Sequence, residues 1–110
     1  MEKKQAIDAF AALSQETRLE VFRLLIRTGS EGLLAGEIGD ALCVKQNTMS
    51  ANLNILSRSG LIRNRREGRG IRYFADIEGV QVLLQFLMQD CCGGRQDLCQ
   101  PIFDPLACVC

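Results

Sequence analysis

Three cysteines fall within ten residues of this chain, in the stretch DCCGGRQDLC at residues 90–99. Cys91 and Cys92 are adjacent, Gly93 and Gly94 follow, and Cys99 closes the run. Thiolates can hold a thiophilic ion or undergo redox exchange. Adjacent residues on a continuing helix point about 100° apart, so the pair would not face one ion there. Ending the helix at the pair frees both directions. The glycines let the backbone double back, so that Cys99 can rejoin the pair. A structural disulfide is disfavoured, because vicinal cysteines bridge only with strain. A thiol redox switch stays open as an alternative.

The chain has 6 Cys and no His. Without imidazole, Ser-His-Asp and Cys-His nucleophilic catalysis are excluded. So is every metal site that relies on histidine. Three thiolates with no nitrogen ligand favour a soft ion. Zinc would want a fourth donor, which Cys108 or Cys110 could supply.

The elements that must position this stretch can be read from apolar spacing. Lys3 to Leu13 reads as a helix with Ala6, Ile7, Phe10 and Leu13 on one side. Ser14 is the expected N-cap of a second helix, Gln15 to Arg27, which Gly29 stops. Ala35 to Leu42 and Gln46 to Ser59 form two short helices joined by Cys43, Val44 and Lys45, a helix-turn-helix pattern. The second of these should bury Met49, Leu53 and Leu56. Its polar side carries Asn47, Thr48, Ser50, Asn52, Asn54 and Ser57. Such residues are mediocre helix formers but good partners for base edges and phosphates. Ile62 to Arg66 and Ile71 to Ala75 flank Glu67-Gly68-Arg69-Gly70 and read as a basic hairpin. Helix-turn-helix followed by such a hairpin is a winged helix. Glu78 to Asp90 is the last helix, apolar around most of its circumference. A helix of that kind in a domain of 110 residues is expected to meet a second copy of the chain. The expected fold is thus mostly α with a small β-hairpin, homodimeric. Residues 1–90 would form the DNA-binding and dimerisation domain, and 91–110 a cysteine-rich tail.

Formal net charge is +0, but it is segregated. Residues 43–75 carry Lys45, Arg58, Arg63, Arg65, Arg66, Arg69 and Arg72 against Glu67 alone. The flanking segments are both acidic. A basic patch of this kind points to a polyanion. The opening MEKKQAIDAF has no apolar leader, and no run reaches the ~18 apolar residues of a membrane span, so a cytoplasmic, membrane-free protein is expected.

ALSQETRLEVFRLL, LAGEIGDALCVKQNTMSANLNILSRSGLI and RREGRGIRYF together resemble the ArsR/SmtB family of metal-sensing winged-helix repressors. The resemblance covers residues 7 to 88. It implies a homodimer that binds inverted-repeat operator DNA and releases it on binding metal. It implies DNA contacts from Gln46, Asn47, Thr48, Ser50 and Asn52, with Arg66, Arg69 and Arg72 of the wing on the backbone. Asn52 is a departure, because relatives commonly carry His there. Cys43 lies in LCV, but alignment on the recognition helix puts the family's Cys-Val-Cys site at LLAGEI instead, so Cys43 is expected to be a small buried residue. A subset of arsenic-responsive members has a Cys-Cys pair and a later Cys after the last helix, and Cys91, Cys92 and Cys99 match those positions. The implied inducer is arsenite, As(III), with antimonite, Sb(III), as a further candidate. Each is a three-coordinate centre that three thiolates complete. The alternatives are a cadmium, lead, zinc or thiol-redox sensor of the same fold, and, in another class, a small thiol oxidoreductase using Cys91 and Cys92. The oxidoreductase lacks a Cys-x-x-Cys motif, and no enzyme activity is expected.

Overall fold

The computed structural model describes residues 1–89. Five helices, α1 (Lys3–Leu13), α2 (Glu16–Thr28), α3 (Ala35–Leu42), α4 (Gln46–Arg58) and α5 (Ile77–Leu87), pack with three strands, β1 (Leu33–Leu34), β2 (Ile62–Glu67) and β3 (Gly70–Ala75). The sheet is antiparallel in the order β1-β3-β2. The predicted hairpin pairs Ile62 with Ala75 and Glu67 with Gly70, and its turn is relieved by Gly68 at φ +59°. β1 and the 3-10 turn Gly29–Glu31 that precedes it carry no sequence signal, because two leucines are too short a run to show a period. The helix-turn-helix of α3 and α4 together with this hairpin is a winged helix-turn-helix. Among the described residues, no helix is long and apolar enough to cross a membrane.

The core forms where α2, α3 and α4 meet the sheet. Val21, Leu25, Ile38, Met49, Leu53 and Leu56 are completely buried there. On α4 the buried residues recur at spacings of three and four, which holds one stripe inward and turns the opposite face out. α1 differs from expectation. It buries Ala6, Ala9 and Ala12 and leaves Ile7 and Phe10 exposed. Small residues every third position let α1 lie close on its neighbours, so its larger apolar groups face away. The α2 cap differs too. The Ser14 hydroxyl donates back to the Ala11 carbonyl at 2.7 Å and ends α1, while Gln15 Oε1 accepts from the Arg18 amide at 2.9 Å and starts α2. α5 buries only Leu83 and exposes Ile77, Val82 and Leu87.

Two tight junctions set where the helix-turn-helix and the wing stand. The first is the Arg18 guanidinium. Its Nε donates to the Ala12 carbonyl at 2.7 Å and its Nη1 to Asn52 Oδ1 at 3.1 Å. One side chain of α2 thereby ties the end of α1 to the middle of α4. The second junction is backbone on backbone. A Cβ on Gly79 would collide with the Gly60 carbonyl oxygen, so the first turn of α5 lies directly on the turn that ends α4. The Asp76 amide donates to the Leu61 carbonyl at 2.9 Å and fixes the same corner. Asp76 Oδ1 then caps α5 through the Gly79 amide at 2.9 Å.

Both junctions give measurable expectations. Gly79→Ala should destabilise by about 1–3 kcal/mol through overpacking against Gly60. Gly36→Ala, where a Cβ would meet nothing within 4 Å in α3, should stabilise by about 0.5–1 kcal/mol. Thermal denaturation followed by circular dichroism separates the two. Asn52→Leu leaves an Arg18 donor without its partner and should cost about 1.5–3 kcal/mol, read from urea unfolding midpoints.

Candidate nucleic-acid interface

α4 presents Asn47, Thr48, Ser50, Ala51 and Asn54 to solvent. They begin at its N-terminus, where the Lys45 carbonyl starts the helical ladder by accepting from the Met49 amide at 2.8 Å. The Asn47 side-chain oxygen accepts from the Thr48 amide at 2.8 Å, and its NH₂ group has no hydrogen-bond partner among the described residues. Gln46 is also exposed but is partly committed. Its Nε2 donates to the Ala35 carbonyl at 3.4 Å and rests over Gly39, where a Cβ would strike it. Gln46 therefore braces α3 against α4.

Asn52 does not join this surface. It is 8% exposed and its oxygen is occupied by Arg18. Its expected place on the DNA-facing side is corrected: it holds the helix and is not displayed by it. Ser57 is half-buried as well. Cys43 is corrected in the opposite sense. It is exposed, and it ends α3 in the left-handed conformation at φ 56°, the one non-glycine residue with positive φ among those described. That conformation turns the chain from α3 into α4 within two more residues.

The wing divides its arginines into two groups. On its outer face Arg63 and Arg65 lie over the Phe74 ring, 5.0 and 5.2 Å from its centroid. Phe74 is buried, and this guanidinium cover has the geometry of a cation–π contact. Arg65 lies directly opposite Arg72 across the strands. Like charges so placed repel, and Glu67 resolves the conflict. Its Oε2 accepts from Arg65 Nη2 and from Arg72 Nε, both at 2.8 Å. Those hydrogen bonds, Arg65 first and Arg72 second, hold the Glu67 carboxyl below the usual carboxylate range, so it stays ionised at neutral pH.

Arg72 reaches further. Its Nη1 donates to the Glu31 and Gly32 carbonyls at 3.2 and 3.4 Å and lies 4.0 Å from Glu37. The Glu67 bond pushes its pKa up from an already high value. Arg72, expected on the DNA backbone, is in this structure the anchor of the wing on the turn before β1 and beside Glu37 of α3. Arg66 and Arg69 are exposed and form no ion pair among the described residues. Arg69 stands in the hairpin turn and Arg66 on the strand leading to it. Sequence reasoning did not single out Arg63 and Arg65 as cover for Phe74, though strand alternation puts both on the face of Phe74.

An open cavity of about 500 Å³ between α1, the end of α4 and the start of α5 is lined by Asp8, Asp76, Glu78 and Arg58, with Gln5 and Val82.

Cys91, Cys92 and Cys99, with Cys108, Cys110 and the proposed 91–110 tail, lie outside the described residues. Among the described residues, no group of three or more His, Cys, Asp or Glu side chains is placed to hold a metal ion. A thiolate site in this chain must therefore draw on residues beyond 89.

A family model described as a helix-turn-helix domain matches residues 13–65. The HTH-type transcriptional regulator YbzH of Bacillus subtilis is 34% identical over 95 residues, 76% of this chain and 95% of that protein. A putative arsenical resistance operon repressor, ArsR, of Halobacterium salinarum is 30% identical over 78 residues, 71% of this chain and 60% of that protein. Among solved structures, an ArsR-like transcriptional regulator of Rhodococcus sp. RHA1 is similar with a TM-score of 0.70 and 28% identity, covering 94% of this chain and 93% of that one. The homodimeric winged helix-turn-helix DNA-binding domain Mb0332 of Mycobacterium bovis has a TM-score of 0.63 and 29% identity, with 79% and 81% covered. With the polar helix face, the basic wing and these relatives in hand, the chain belongs to the helix-turn-helix transcriptional regulators, in their ArsR-like winged-helix form.

Proposed function

We propose that the chain is a homodimeric repressor that binds an inverted-repeat operator and releases it on binding trivalent arsenic or antimony through Cys91, Cys92 and Cys99. The observation that carries the DNA-binding half is the exposed Asn47–Asn54 face of α4 standing beside a wing in which Arg66 and Arg69 form no ion pair among the described residues. Two such helices, held by a two-fold axis, enter successive major grooves about 34 Å apart. Ile7 and Phe10 of α1 with Val82 and Leu87 of α5 supply exposed apolar surface for the partner copy. The similar Mb0332 domain, which is homodimeric, supports that assembly.

The sensing half rests on the donor set. Three thiols follow α5 within twelve residues of its last turn, and the chain has no histidine to bring a harder ligand. Three thiolates and a trivalent ion make a neutral product, which eases burial. The likeness to the Halobacterium protein named as an arsenical resistance operon repressor agrees with this reading. Binding at the end of α5 displaces that helix, and the paired recognition helices lose their spacing. By linkage, operator DNA weakens arsenite binding by the same factor, with a coupling of about 1–3 kcal/mol typical.

A gel shift on an operator selected from random DNA by the wild-type chain tests both halves. Arsenite should release the wild type, while Cys92→Ser should hold the operator and ignore arsenite. Release of Cys92→Ser by arsenite would overturn the site. Release of the wild type by cadmium, lead, zinc or a thiol oxidant, with arsenite inert, would reassign the inducer. Arg69→Ala should weaken binding on all duplexes alike and reduce the salt slope by about 0.9 for each phosphate that the wing no longer neutralises. Asn47→Ala should cost about 1–3 kcal/mol on the selected operator and relax its sequence preference.

A further inference from the structure

The only acidic side chain between residues 43 and 75 is Glu67, and it lies inside the wing at the foot of the hairpin turn. One of its oxygens binds both Arg65 and Arg72. The two arginines differ in what else holds them. Arg72 has a side chain 24% exposed and also donates to the Glu31 and Gly32 carbonyls, so it is fixed whether or not Glu67 is charged. Arg65 has a side chain 65% exposed, and Glu67 is its one hydrogen-bond partner among the described residues. Its guanidinium is otherwise supported only by lying over Phe74.

We propose that Glu67 is a resident counter-ion that competes with DNA phosphate for Arg65 and so limits the affinity of the wing for DNA. In the protein alone the carboxylate supplies what a phosphate would supply, two charge-assisted contacts to guanidinium groups. A phosphate that takes the Arg65 Nη2 donor displaces Glu67 from it, and one that takes the other Arg65 donors sits beside the Glu67 carboxylate. Arg65 is held over Phe74 in either state, so the exchange needs no large movement. The wing thus has three exposed arginines without an ion pair among the described residues, Arg63, Arg66 and Arg69, and a fourth, Arg65, that is conditional. This inference rests on the DNA-binding reading given above and adds the residue that tunes it.

The test is a double-mutant cycle on full-length chain, read by fluorescence anisotropy with a labelled random-sequence duplex of about two helical turns over a series of NaCl concentrations. Glu67→Gln keeps an oxygen acceptor for Arg65 and Arg72 and removes the charge. It should bind about 5–10-fold more tightly at low salt, with a slope steeper by about 0.9 per engaged wing, the contribution of one further neutralised phosphate. Arg65→Ala alone should change affinity less than about twofold, because Arg65 is masked. In the Arg65→Ala background, Glu67→Gln should lose most of its gain. Thermal melts of all four proteins establish that the wing is folded, and the double variant also removes the Arg65–Arg72 repulsion that Glu67→Gln would otherwise expose.

An unchanged affinity and slope in Glu67→Gln would overturn the proposal. So would an equal gain with and without Arg65, which would make Glu67 a diffuse repulsive charge. Failure of the wild type to bind the duplex at any salt concentration would instead bring down the DNA-binding reading itself.

Discussion

One guanidinium determines where the recognition helix stands. Arg18 emerges from the first turn of α2, satisfies a carbonyl at the end of α1 through Ala12, and reaches Asn52 in the middle of α4. Apolar contacts alone leave a helix some freedom to rotate and slide, because hydrophobic attraction has no direction. A charge-assisted hydrogen bond removes that freedom, because its geometry is narrow. With Asn52 held inward, the residues at Asn47, Ser50 and Asn54 are necessarily turned outward. The exposed polar face of α4 is therefore set from behind, by a polar contact beneath it.

The wing is governed by a related economy of charge. Five arginines lie between residues 63 and 72, yet in space they perform three different tasks. Arg63 and Arg65 shield Phe74, Arg72 fastens β3 to the turn before β1, and Arg66 and Arg69 face outward. Counting charges along the chain treats them alike and overstates how much of the basic segment is open to a polyanion. The strand register separates them, since Arg63, Arg65 and Glu67 share the face of Phe74 and Arg72, while Arg66 lies on the other.

Most of the architecture was legible because it rests on period and punctuation. α1 and α3 have the bounds expected of them, α4 ends one residue early, and the hairpin turn stands where its glycines put it. What escaped was direction. Residue type groups Asn52 with the polar side, although it is three residues from Met49 and four from Leu56, spacing that places it on the buried stripe. The missing information was a partner, Arg18, 34 residues away. Size alone assigns Ile7 and Phe10 inward, whereas alanines at every third position carry the close approach of α1. Lone cysteines are often buried, but the left-handed cap that the turn demands projects Cys43 outward. In each case local preference was correctly read and a tertiary constraint decided the outcome.

The same tertiary constraints bear on how an event beyond α5 can reach the DNA-facing surface. α5 contributes only Leu83 to the fully buried core, with Val80 and Phe86 part-buried against it, so it is held there by side chains. Its first turn, by contrast, meets α4 through backbone atoms, with Gly79 on the Gly60 carbonyl and the Asp76 amide bonded to Leu61. Side chains can absorb a small shift by changing rotamer, whereas two stretches of backbone in contact cannot. A rotation of α5 must therefore either lift its first turn off Gly60 or carry the end of α4 with it. The first choice breaks the Asp76–Leu61 bond and uncovers Leu61, which is 1% exposed. The second strains only the orientation of the recognition helix against the Arg18 clamp. The proposed metalloid site after α5 would act on this corner through the helix itself, because the part nearest the thiols in sequence is held by side chains and the part in backbone contact is nearest the end of α4.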